Sequence, residues 1–126
     1  MKDVQTTPPA GDSSLSLRIA DTFKKRLLGV HHVGVLRADE GLLFVPCGAI
    51  HTFFLWQRLD VVFLDVHGRE RRCARNIGPW RIVRAVGAHM VIELQAGYCE
   101  RHPDYLKRIH AALQLRVCPR LSKFQG

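Results

Sequence analysis

Apolar and polar residues alternate singly where the patterned part of the chain begins. In LSLRIA, residues 15–20, Leu15, Leu17 and Ile19 alternate with Ser16, Arg18 and Ala20. A period of two predicts a half-buried strand. TFKKRLLGVHH then spaces Phe23, Leu27 and Val30 three to four apart, which predicts a short helix capped at Asp21-Thr22. EGLLFVPC is a second strand, punctuated by Pro46 and Gly48. IHTFFLW and LDVVFLD are apolar at both parities, so both are expected as interior strands. Asp65-Val66-His67-Gly68 reads as a hairpin turn in which Gly68 takes a positive φ, with RERRCAR as the returning strand. WRIVRAV is a weaker strand pattern and AHMVIELQAG a stronger one, stopped by Gly97. From Pro103 the spacing changes: Leu106, Ile109 and Leu113 share one face of a helix, with Pro103 and Asp104 suited to its first turn.

Short strands at turn-marked intervals, with two helical patterns, predict a mainly β single-domain sandwich or partly open barrel. A chain of 126 residues, 47% hydrophobic, supports one core. Residues 1–14 are expected as a disordered tail, 15–100 as the β domain and 101–126 as a basic helical extension. The apolar runs are strand-sized, well below the roughly 20 residues of a membrane-spanning helix. The opening MKDVQTTPPAGDSS lacks the apolar stretch of an export signal. Cys47, Cys73, Cys99 and Cys118 form no CxxC pair. Reduced thiols and a cytoplasmic setting are the expectation.

Charge adds a class of partner. The formal net charge is +8, from 19 Lys+Arg against 11 Asp+Glu, and six arginines fall within residues 69–84 beside one glutamate. Residues 101–123 are basic as well. Such a field attracts nucleic acid, anionic lipid or acidic protein. The plainer reading is a basic but otherwise ordinary surface, since no nucleic-acid motif or stacking-aromatic pattern accompanies the arginines.

The polar residues inside apolar stretches are the candidates for chemistry. Asp60 shares strand parity with Val62 and Leu64, so its carboxylate points toward apolar surroundings. It either raises its pKa, as a general acid or base would, or accepts backbone N–H groups as a structural aspartate; the structural reading leads. His51, flanked by apolar residues, reads first as a core histidine and second as a base. Cys47 and His51 would need a turn at Gly48 to approach one metal ion, and two ligands leave a zinc site incomplete. His31-His32 reads as a solvated loop pair. GxSxG, HExxH, P-loop and GxGxxG motifs are absent. The sequence assigns no metal and no cofactor.

RLLG at 26–29, GLLF at 41–44, PCGAIHTFFL at 46–55, LDVVFLD at 59–65 with DVHG completing the turn, PWR at 79–81 and VIELQAG at 91–97 occur in an order that resembles the bacterial and archaeal domain of unknown function 192. The likeness covers roughly residues 17–98. It implies a jelly-roll-like β sandwich and no established activity; many relatives look exported, and some are encoded near pilus or secretion machinery. Recurrent polar positions of the family match Arg26, His51, Thr52, Asp60, Asp65, Gly68 and Glu93. Together these suggest a pocket of Arg26, His51, Thr52 and Asp60, the guanidinium neutralising the carboxylate, with Asp65 and Gly68 serving the turn. Two departures stand out: Leu55-Trp56-Gln57-Arg58 replaces a segment usually carrying methionine and often proline, and the chain after Gly97 is helical and basic. The leading functional expectation is a non-enzymatic accessory or small-ligand-binding domain. Its rivals are an enzyme using Asp60 or His51 on an anionic substrate held by Arg26 or Arg81, and a binder of nucleic acid or another anionic surface through 69–84 and 101–123.

Overall fold

The computed structural model describes residues 14–20, 36–52 and 57–117, with side chains as far as 114. In chain order the elements are β1 Ser16–Ile19, β2 Glu40–Phe44, β3 Ala49–His51, β4 Leu59–Leu64, β5 Glu70–Ile77, β6 Ile82–Arg84, β7 Met90–Gln95, α1 Tyr98–Arg101 and α2 Tyr105–Val117. Five strands form a sheet in the order β1-β2-β7-β4-β5, and β3 pairs with β6 in a separate two-stranded sheet. β1 runs parallel to β2; the other pairings are antiparallel. The fold is mainly β, and its sheets stay open rather than closing into a barrel.

β4 explains the layering. All six of its residues are buried, because β7 and β5 flank it and both of its faces are covered. Leu59, Val61 and Phe63 point to one face, where they join Leu42, Phe44 and Val91 and meet Ile50 and Val83 from the small sheet. Val62 and Leu64 point to the other, where they join Leu17, Leu43, Ile92 and Leu94 under Tyr98, Cys99, Ile109 and Ala112 of the two helices. Burying each such aliphatic side chain is worth about 1.5–3 kcal/mol. The sheet is thus the middle layer, with β3–β6 on one side and the helices on the other.

The segments read as strands became β1, β2, β4, β5 and β7, the weaker WRIVRAV pattern became the short β6, and the helical spacing after Pro103 became α2. Ile109 and Ala112 of α2 are buried in the core, so the basic helix packs on the sheet. The Ile50 strand differs from expectation. Among the described residues it is three residues long and pairs only with β6, and Thr52 next to it is drawn into bonds with the 78–81 turn. α1 is an element the periodicity did not predict; at four residues it is too short to show a helical spacing. The helix expected over 22–32 and the residues FFLW at 53–56 lie outside the described residues. Among the described residues, no helix is long and apolar enough to cross a membrane.

The turn between β4 and β5 forms as its composition dictates. Gly68 has φ 82°, Asp65 Oδ1 accepts the N–H groups of His67 at 2.8 Å and Arg69 at 2.9 Å, and the Gly68 N–H donates to the Asp65 carbonyl. His110 of α2 reaches the Gly68 carbonyl at 2.6 Å, tying the turn to the helix.

Candidate functional site

Asp60 sits opposite an irregularity. β4 pairs with β5 at Leu59↔Ile77 and next at Val61↔Ala74, so Arg75 and Asn76 together oppose Asp60, the geometry of a bulge. Asn76, with φ 55°, turns its N–H out of the ladder, and Asp60 Oδ1 accepts it at 2.9 Å. Arg58 holds Asn76 from the other side through its Oδ1 at 2.7 Å and its carbonyl at 3.0 Å. Asp60 Oδ2 accepts the N–H groups of Gly97 at 3.2 Å and Cys99 at 3.0 Å. Those two belong to the start of α1, where Gly97, with φ 94°, has no side chain to cap the helix itself. Helix starts leave N–H groups unsatisfied, and a carboxylate is a good acceptor for them. Asp60 caps α1 from a neighbouring strand and closes the β5 bulge with the same carboxylate, while remaining 1% exposed.

Beside it lies a cleft of about 280 Å³ lined by Asp60, Arg75, Asn76, Ala96, Gly97 and Glu100. Arg75 and Glu100 are exposed, which puts one charge of each sign at the mouth.

The other expected pocket residues stand elsewhere. Thr52 is buried; its hydroxyl donates to the Gly78 carbonyl at 2.7 Å and accepts the Arg81 N–H at 2.9 Å. Its backbone bonds Arg81 and Trp80, so it clamps the turn in which Trp80 takes φ 63°. His51 is half-buried on β3 opposite Ile82. Both belong to the small-sheet layer, whereas Asp60 shares its face with the helices. Neither His51 nor Thr52 lines the cleft, and Arg26 lies outside the described residues.

Glu93 occupies an unusual place. On β7 it is registered between Leu42 and Val61, is 2% exposed, and its Oε1 has no hydrogen-bond partner among the described residues. Burial pushes its pKa up to about 8, so at neutral pH it is largely an uncharged acid. The sign of this was legible in VIEL, where Glu93 shares parity with Val91. A second cluster had no such sign: Cys73, Arg75, Cys99 and Tyr105 converge only because the β4–β5 bulge and the β7–α1 junction meet.

Residues 5–103 match the family described as Uncharacterized ACR, the domain of unknown function 192. The chain belongs to this family. A UPF0127 protein of Thermococcus sibiricus is 36% identical over 97 residues, 71% of this chain and 58% of the relative; the chain thus spans little more than half the length of that curated relative. Two solved structures share the fold of this domain of unknown function 192 member. One, from Novosphingobium aromaticivorans and titled a protein of unknown function, aligns with TM-score 0.62 and 22% identity over 69% of this chain and 67% of its own. The other, from Sinorhizobium meliloti and titled a putative transcription regulator, aligns with TM-score 0.62 and 23% identity over 69% and 73%. At these identities the likeness carries the fold alone.

Proposed function

We propose that the chain is a non-enzymatic binding domain that holds a small polar ligand in the cleft beside Asp60. The Asp60 carboxylate carries this reading. Its two oxygens accept three backbone N–H groups, and proton transfer to a substrate would break bonds that hold α1 and the bulge in place. What remains for a ligand is the pair of rim charges. Arg75 suits a carboxylate and Glu100 suits an ammonium group, so a small zwitterion of amino-acid type fits the cleft chemically. Calorimetric titration with the free amino acids tests this. Arg75→Met and Glu100→Gln should each weaken a positive titration about tenfold. Turnover that disappears in a folded Asp60→Asn variant would sink the non-enzymatic reading.

A second reading, nucleic-acid binding, rests on the six arginines within 69–84. All six are exposed, next to Trp80 at 61% and Ile82 at 69% exposure. Arginine pairs well with phosphate. Affinity for a single-stranded oligonucleotide should then fall steeply between about 50 and 200 mM salt; a flat salt response would remove this reading.

A further inference from the structure

Cys73 and Cys99 lie 26 residues apart in the chain, and their sulfurs are 3.7 Å apart, sharing a hydrogen bond. β5 presents Cys73 half-buried, while α1 carries Cys99 at 1% exposure. Arg75 shares the strand face of Cys73, two residues along β5, and its positive charge favours the thiolate, with its guanidinium 5.8 Å from the centre of the Tyr105 ring. The Tyr105 hydroxyl donates to Glu70. One sulfur is therefore reachable, and the other lies buried in contact with it. We propose that Cys73 and Cys99 are a redox-modification site, oxidised by a small hydroperoxide to a disulfide that fastens α1 to β5.

The asymmetry of the pair sets the roles. Cys73 is lowered to about 6, first by the hydrogen bond from the Cys99 thiol and then by Arg75 and Tyr105. Cys99 is raised, by the same shared bond, by burial and by the neighbouring Cys73 and Asp60 charges. The thiolate is the reactive form of cysteine, so Cys73 attacks first. Its electron pair bonds the terminal oxygen of the hydroperoxide, the O–O bond breaks, and the departing alkoxide takes a proton from water; Cys73 becomes a sulfenic acid. Cys99 then loses its proton and attacks the Cys73 sulfur. The S–S bond forms, the S–O bond breaks, and hydroxide leaves with that proton as water. Two thiols and one hydroperoxide yield one disulfide, one alcohol and one water. The sulfurs must close from 3.7 Å to about 2.05 Å, a movement within reach of side-chain rotation.

This site is separate from the ligand reading, although Arg75 borders both: failure of amino-acid titration leaves the thiols as they are. The test uses the full chain, reduced and freed of reductant, then treated with one equivalent of hydrogen peroxide. After tryptic cleavage, mass spectrometry should find the peptide of residues 73–75 disulfide-linked to that of 85–101. Cys99→Ser should instead accumulate a dimedone-trapped sulfenic acid at Cys73, and Cys73→Ser should form neither. In the unaltered protein, Cys73 should alkylate about fivefold faster than a free cysteine peptide at pH 6.5, its larger thiolate fraction partly offset by lower intrinsic nucleophilicity. Arg75→Met should move the midpoint of that alkylation profile to higher pH. Alkylation no faster than the free peptide, together with no linked peptide after peroxide, overturns the proposal whether or not the variants fold.

Discussion

Replacing the Asp60 carboxylate by an amide leaves one acceptor oxygen for three N–H groups and turns an NH₂ toward one of them. Asp60→Asn should lose about 2–4 kcal/mol of stability, read from urea unfolding, because buried donors are left unmatched. Glu93 behaves in the opposite way. Its folded pKa of about 8 lies above the ordinary 4.5. As pH rises past 4.5, the unfolded chain releases this proton while the folded chain keeps it. Stability therefore falls progressively until about pH 8, where the folded form ionises too. Glu93→Gln removes that slope: the variant should match the parent near pH 4.5 and exceed it by a few kcal/mol near pH 8, in unfolding titrations run across the range. Parity placed Asp60 on a buried strand face; Glu93 was read only as a recurrent polar position, although its parity with Val91 points the same way. It did not tell them apart. Asp60 is paired because a bulge and a helix start happen to face it, and those features depend on Asn76 and Gly97, far along the chain.

At the scale of elements, α2 is held by a narrow apolar stripe. Ile109 is fully buried and Ala112 nearly so, with Tyr105, Leu106 and Leu113 half-buried around them. Ile109→Ala should cost about 2–4 kcal/mol, and hydrogen exchange should show the loss spread over the 105–114 amides and the turn that His110 touches. The doubly buried β4 and the helix after Pro103 were legible because an unbroken apolar run and a helical spacing each extend over five residues or more. Two elements were not. α1 has a single turn, its existence resting on Gly97 and on the Asp60 carboxylate rather than on any pattern of its own. β3 carries the same both-sides apolar signature as β4, yet it lies in a two-stranded sheet, next to the bonds Thr52 makes with residues 78–81. Periodicity reports which faces are covered; it does not report by which layer.

At the scale of the whole molecule, charge is concentrated on one border. Among the described residues β5 is one of the two edge strands of the five-stranded sheet, and Arg69, Arg71, Arg72 and Arg75 on or beside it are all exposed. Oxidation at Cys73 would anchor this border strand to α1, so peroxide treatment and nucleic-acid binding should be measured on the same sample. Reduced and oxidised protein differing more than twofold in oligonucleotide affinity would link the two sites. The border has another consequence. An outer strand offers its backbone to any strand that approaches, including the same strand of a second copy. Two such strands side by side would set arginine against arginine, within the roughly 8 Å over which charges still repel at physiological salt. The arginines thus oppose pairing of two copies through this edge. Exchanging Arg69, Arg71 and Arg72 for glutamine should let copies join edge to edge, visible as a concentration-dependent shift in sedimentation, and a polyanion that cloaks them would remove the same safeguard in the unaltered protein.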